Sequence, residues 1–369
     1  MVSLKDSILF SKIKCPFCNK GLIYHEIDSY HKDGVLIHVN QFAKDCDKIF
    51  PVIDEIIILT DYKLWPIIPF NTYLIRNKKK LPSKYLNSFI QIQKKINDKS
   101  HNFTNENENQ QYEHVKFQQD LHKYNELKYR IWLYCYFCNY KNKSKKNRLN
   151  KFVNEYHFIK HCKKEKIISG DWLLSICSGP GTDIFTLNMY LNQFGIKIKN
   201  VLNDIRFMAL MKAKKIMRQF ESYFILFNSQ TPPFYDNTFD ICYVHAGLHH
   251  LPNPSDALLN LGKLSSRLLF VTEAQENRIL KFLNLQHEEV GGVEYRFSKK
   301  EIYTLLKPNF KNIKVYTFFL HITPKLQRIF KKFNFILFYI SFRIAFTFIN
   351  GIIGRFGNVL QISAEKIIE

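Results

Sequence analysis

The sequence predicts an α/β fold in which a mostly parallel, doubly wound sheet carries helices on both faces. Three observations predict it. Short apolar runs alternate with helix-period stretches between residues 151 and about 322. One of those runs ends in a glycine turn that opens a helix. The chain is 46% hydrophobic and 15% aromatic, enough to bury a core and to exclude wholesale disorder. A length of 369 residues suits two domains, or one domain with sizeable additions.

The elements come in order. Residues 172–177 are a buried-strand run and 182–194 have helix period. Residues 199–204 form a second strand and 206–220 a second helix. Further strands are expected at 223–227, Phe239–His245 and 268–273, with helical stretches between the later ones. Ahead of this zone, residues 1–62 form a compact, turn-rich unit with strand-like runs at 34–39 and 49–59. Residues 63–150 are a polar, Lys/Asn-rich region, helical in patches, with a flexible loop at 102–111. No internal repeat is evident.

The 54 Lys and Arg against 32 Asp and Glu give a net charge of +22. Such a balance suits a polyanionic partner: nucleic acid, acidic glycan or an anionic membrane surface. The basic residues are scattered, however, and Lys, Asn, Ile, Phe and Tyr are all abundant, so compositional drift accounts for the charge at least as well. No RNA-binding module is recognisable. Of the eight cysteines, Cys177 and Cys242 lie in apolar runs and are expected to be reduced core residues. Lys5, Asp6, Lys12 and Lys14 interrupt any N-terminal apolar stretch, so the expected location is cytoplasmic.

The first strand runs into Ser175-Ile176-Cys177-Ser178-Gly179-Pro180-Gly181. Glycines permit a tight turn and close approach of a ligand, and the next helix offers free backbone N–H groups. Asp204 ends the second strand, where a carboxylate can accept both hydroxyls of a ribose. Asn228 and Ser229 come after the third strand, where an amide can read an adenine edge. Then come Pro233-Phe234-Tyr235-Asp236-Asn237-Thr238-Phe239-Asp240 and a strand ending in His245-Ala246-Gly247-Leu248-His249-His250-Leu251-Pro252-Asn253-Pro254.

This series resembles the class I S-adenosylmethionine-dependent methyltransferases of the type 11 group over residues 150–320. The resemblance implies a Rossmann-like, doubly wound, seven-stranded sheet over 151–369. It also implies a cofactor site formed by Ser175, Ser178, Gly179, Gly181, Asp204, Ile205, Asn228, Ser229 and His245. The family usually has an acid where Ser175 stands, a glycine at Cys177 and an aspartate at Asn228. Those departures leave open a scaffold that binds cofactor without turnover. Methyl transfer is an in-line displacement, so the protein aligns the acceptor and removes a proton. His249 or His250 can act as base, or can simply cap the loop; Glu273 ends the fifth strand at the same edge. Tyr295 and Arg296 lie in a Y-R-F-S stretch, where the arginine can hold an anionic group on the acceptor or form a surface ion pair. The expected acceptor is a small, glycan-like or lipid-linked molecule, methylated on oxygen; RNA is the alternative.

Cys15-Pro16-Phe17-Cys18 looks like one knuckle of a zinc ribbon, with Cys46 as a third ligand. The unit resembles the ribbon-like activator domain of tRNA and release-factor methyltransferases. Ile49 stands where a fourth ligand is expected. Asp47, His25, His31 or His38 can replace it, as can Cys135 and Cys138, or the fold can stand without metal. At the other end, residues 333–354 are apolar with one charge, Arg343. Lys332, Tyr339, Arg343 and Asn350 share a helical stripe, so a hydrophobic helical insertion (325–356) is expected rather than a membrane span. It can lid the acceptor site, dimerise or touch a membrane surface. It leads to a last strand at 358–365 that pairs beside 313–320.

Overall fold

The computed structural model describes residues 8–38, 46, 48–97, 166–192, 194–274, 295–318 and 359–367. The loop at 102–111, Cys135, Cys138 and Cys162, residues 291–294 and the apolar segment 325–356 lie outside the described residues. The chain divides into two compact units. The first comprises the N-terminal part with 168–243 and 256–266; the second comprises 244–255 and the described segments beyond 267, with Lys166 and Ile167.

In chain order the first unit contains α1 (Leu9–Lys12), β1 (Leu22–Asp28), β2 (Asp33–His38), β3 (Phe50–Ile53), β4 (Ile56–Ile58), α2 (Ile67–Asn77), α3 (Ser83–Asn97) and β5 (Trp172–Ile176). It continues through α4 (Thr182–Asn192), β6 (Lys199–Asn203), α5 (Phe207–Ile216), β7 (Ser222–Leu226), most of β8 (Phe239–His245) and most of α6 (Pro254–Leu264). Its strands lie in the order β1-β2-β3-β4-β7-β6-β5-β8. The strand–helix alternation read from the sequence is therefore present, with boundaries within a few residues. Parallel strands in the middle of such a sheet are buried on both faces. Accordingly β5 is buried throughout, and β6 and β7 are buried after their first residue.

Three features of the N-terminal part differ from expectation. β1 is a strand that the sequence pattern does not announce. The run 49–59 is two strands, because Asp54 and Glu55 both take left-handed backbone (φ 49° and 67°). They close a two-residue turn that pairs Val52 with Ile57 and Ile53 with Ile56. Neither residue is the glycine that usually marks this turn, so the reversal is silent in the apolar pattern. Left-handed backbone costs a non-glycine residue about 1–2 kcal/mol. Glu55 offsets it by pairing with Lys32 and, at 2.7 Å, with Lys214 of α5.

The ribbon-like strands also do not form a separate sheet. β4 runs parallel to β7, with Ile56, Ile57 and Ile58 opposite Phe224, Ile225 and Leu226, and the ladder continues through a bond from Leu59 N–H to Leu226 O. Instead of a seven-stranded sheet beside a small β domain, this unit alone carries eight contiguous strands. The physical reason is edge protection: β7 exposes unpaired N–H and C=O groups unless another strand covers it. On the helical side, Trp65, Phe70, Tyr73 and Phe89 form an edge-to-face cluster between α2 and α3. The Tyr73 hydroxyl donates to Gly34 O at 2.9 Å. Asp33, fully buried in β2, receives Arg76 in two-pronged fashion, Asn77 Nδ2 and the Asp54 N–H.

The second unit contains β9 (Ser265–Ala274), α7 (Lys299–Leu306), β10 (Phe310–Phe318) and β11 (Val359–Lys366). β11 pairs antiparallel with both β9 and β10, one residue on from the position expected for the last strand. Among the described residues, no helix is long and apolar enough to cross a membrane.

Ile57 is fully buried between β3 and β7. Ile57→Ala is expected to lower stability by about 2–4 kcal/mol, read as a shift of the urea midpoint. A change below about 0.5 kcal/mol would show that β4 is not packed as described.

Candidate functional site

In the first unit the chain leaves β5 through Cys177, Ser178, Gly179, Pro180 and Gly181 and enters α4. Gly179 and Gly181 have φ of 54° and 70°. A Cβ on Gly181 would lie 2.5 Å from Leu202 Cδ2, so only glycine lets α4 begin against β6. A Cβ on Gly179 would meet nothing nearer than Arg206 Nη2, 3.8 Å away, which leaves that stretch of backbone approachable. Cys177 holds φ at 50°. The turn therefore keeps the left-handed shape that the resembled family builds with glycine, at the strain a side chain brings. Ser175 lies buried inside β5, opposite Leu202, and Ser178 donates its N–H to Asn203 O at 2.7 Å.

Asp204 directly follows β6 and is 3% exposed. One carboxylate oxygen accepts the Gly179 N–H at 2.8 Å. The other accepts the Arg206 N–H at 2.8 Å. The Arg206 guanidinium reaches across both, Nε at 3.0 Å and Nη2 at 3.2 Å. Burial works to raise this carboxyl, but the Arg206 charge and the backbone N–H groups outweigh it and hold it below the usual carboxylate range. The turn and the acid thus face each other. The guanidinium edge presents two donors to two oxygens, the pattern a ribose diol presents, so the carboxylate fits a two-donor ligand. Arg206 is a part of this site that sequence reasoning misses; its place two residues after the acid is the available signal.

Asn203 is a second missed member. Its amide donates to Ile225 O and Phe227 O and accepts from Ser229 Oγ at 2.7 Å. Ser229 in turn lies 3.6 Å from Cys177 Sγ. The structure therefore brings Cys177, Gly179, Asp204 and Ser229 around the carboxyl ends of β5, β6 and β7. Asn228 spends its Oδ1 on the Gln230 N–H, and Ile205 is half-buried between Asp204 and Arg206.

In the second unit, Glu273 near the end of β9 is 1% exposed. One oxygen accepts the Gly247 and Leu248 N–H groups at 2.8 and 2.7 Å. The other accepts His249 Nδ1 at 2.7 Å. The His250 ring lies against that of His249, centroids 3.9 Å apart, and His250 is exposed. His245 ends β8 and is half-buried. The Tyr295 hydroxyl bonds Glu301, which also closes a capping box with Ser298 at the start of α7. The Y-R-F-S stretch thus has a local structural task, and Arg296 sits half-buried within it.

Beside β1–β3, the donor atoms of Cys15, Cys18, His38 and Cys46 lie within 4.8 Å of one another. Cys15 Sγ is 3.9 Å from Cys46 Sγ, and Cys18 Sγ is 3.3 Å from His38 Nε2. Tetrahedral zinc with bonds of about 2.3 Å to sulfur spaces two sulfurs about 3.8 Å apart. His38, at the end of β2, stands as fourth donor among the described residues. Burial pushes the Cys15 thiol up to about 12. At Cys18 burial is outweighed by the Lys20 N–H and the neighbouring thiols, and the group lies below the ordinary thiol value.

Residues 176–264 match the family described as "Methyltransferase domain", of type 11. No curated protein matches the chain. Similar solved structures include an S-adenosylmethionine-dependent methyltransferase from Aquifex aeolicus, at 15% identity over 60% of this chain and 94% of that one, TM-score 0.37. The CurJ carbon methyltransferase shares 15% identity over 62% of this chain and 57% of its own, TM-score 0.39. A complex containing the Trm112 methyltransferase activator of Haloferax volcanii matches at 12% identity over 60% of this chain and 94% of that one, TM-score 0.42. Similarities this low carry no substrate or partner across.

Asp204→Ala is expected to lower stability at pH 7 by about 3 kcal/mol, because it strands Arg206 and the Gly179 N–H. Since the folded carboxyl sits below its unfolded value, this contribution is present above about pH 4 and is lost as pH falls through the folded value. Urea denaturation of both proteins at pH 7 and pH 3 checks it: the difference between them should shrink in acid.

Proposed function

We propose, for a chain that carries a class I S-adenosylmethionine-dependent methyltransferase domain, that it methylates a hydroxyl on a small, glycan-like or lipid-linked acceptor, with His249 as the general base. One observation carries the reading: the buried Glu273 carboxylate holding His249 Nδ1 at 2.7 Å. The carboxylate accepts from Nδ1–H, which leaves Nε2 as the basic nitrogen. The Gly247 and Leu248 N–H groups pin the other carboxylate oxygen, so the ring orientation is set by two layers of hydrogen bonds. When Nε2 takes a proton from an acceptor hydroxyl, Glu273 stabilises the imidazolium; a buried carboxylate beside a histidine serves general bases in this way. Asp204 and the Gly179 turn would hold the cofactor's ribose, with Arg206 giving way at the carboxylate. The bound cofactor supplies the electrophilic methyl group. Tyr295 and Arg296 remain candidates for acceptor contact, with the tyrosine hydroxyl already engaged by Glu301.

Cys15, Cys18, His38 and Cys46 would hold zinc. Four protein ligands close the coordination sphere, so such an ion is structural and leaves no position for catalysis.

His249→Gln is expected to lower kcat about 10²- to 10⁴-fold with cofactor affinity unchanged by calorimetry. Glu273→Gln should lower it in the same direction. An unimpaired His249→Gln enzyme would remove the histidine from the mechanism. For the metal, elemental analysis should find zinc at about one per chain, lost in a Cys18→Ser, His38→Ala variant. Purified protein without metal, folded and unaffected by chelator, would sink the zinc assignment.

A further inference from the structure

The first unit contains a cavity of about 330 Å³ at the edge of the sheet opposite to the glycine turn. Ser222 and Phe224, at the start of β7, line it, as does Glu55, just before β4. The glycine turn and Asp204 follow the other ends of these parallel strands. Met211, Met217 and Phe220 supply apolar wall. Around it stand Lys214, Lys215 and Arg218. Lys214 is committed to Glu55 at 2.7 Å and to Asp54 O at 2.8 Å. Lys215 and Arg218 are exposed, and neither has an ion-pair partner among the described residues. The Ser222 hydroxyl is shielded from solvent and has no hydrogen-bond partner among the described residues.

We propose that this cavity binds a small amphipathic anion: an acyl or aryl body on the methionine–phenylalanine wall, with one carboxylate or phosphate held by Lys215 and Arg218. A volume of about 330 Å³ is at the lower end of the range for small-molecule pockets and suits a ligand of about ten non-hydrogen atoms. Pockets of this kind are mostly apolar with a few placed polar groups, here two cations. The lysines also complement the dipole at the C-terminal end of α5. That role does not need the apolar wall. Glu55 lines the cavity from the strained turn before β4, so an occupant would also touch the residue that ties this turn to α5. The inference does not depend on the methyl-transfer reading.

Octanoate, with an eight-carbon chain and one carboxylate, is the probe. Calorimetry with the full chain should show saturable single-site binding with a Kd of about 1 mM or tighter. The charge-reversed variant Lys215→Glu, Arg218→Glu changes two exposed side chains; it should stay folded without ligand, its melting temperature lowered by no more than a few degrees because Lys215 sits in the last turn of α5, and it should weaken octanoate about tenfold or more. Octan-1-ol, with the same chain and no charge, should bind at least about tenfold more weakly than octanoate. Absence of saturable binding, equal affinity in the variant, or equal affinity for the alcohol would each overturn the proposal.

Discussion

The structure depends on one backbone constraint: β7 has a side that must be hydrogen-bonded, and β4 bonds it. A parallel sheet strand buried on both faces tolerates no open edge beside its core. Here the N-terminal ribbon supplies the missing strand within the same chain. Isoleucines 56 to 58 then become interior residues of the sheet rather than the outer edge of a small domain. The strained turn at Asp54 and Glu55 answers the same demand. It must reverse the chain in two residues so that β3 and β4 can pair while β4 meets β7 in register. The ion pairs of Glu55 with Lys32 and Lys214 hold the ends of that geometry together.

A similar economy organises the ends of the central strands. Asp204 is buried and charged, which water-free surroundings oppose. It is kept so by four donors, one of them the Gly179 N–H. The acid thereby fixes the shape of the glycine turn. Cys177 shows how far this shape is imposed, since it adopts left-handed backbone without being glycine. Ser229 and Asn203 close the same neighbourhood from β6 and β7.

The second unit places its polar investment in Glu273. Three donors converge on a carboxylate inside the sheet edge, and one is the histidine that follows β8. A residue that only capped the loop would need the two backbone N–H groups alone. The added histidine bond fixes the orientation of the His249 ring. Tyr295 is the contrasting case. Its hydroxyl serves a helix start through Glu301, a local duty that its position in an apolar-aromatic stretch does not reveal.

The sequence by itself determined the strand and helix alternation, the glycine turn, the acid that follows β6, the acid near the end of β9 and the three cysteines. Each of these is written in short-range patterns: apolar periodicity, fixed spacing to a glycine, or a C-x-x-C knuckle. The features that only the tertiary structure decided are long-range or silent in composition. Histidines 25, 31 and 38 are equivalent as types, and only the β1–β2 hairpin puts 38 against Cys18. The turn at Asp54 and Glu55 carries no glycine signal. The pairing of β4 with β7 joins residues some 170 positions apart, and no local pattern encodes it. Side-chain chemistry is legible along a chain, whereas the partner that satisfies a buried group depends on which distant segment folds back onto it.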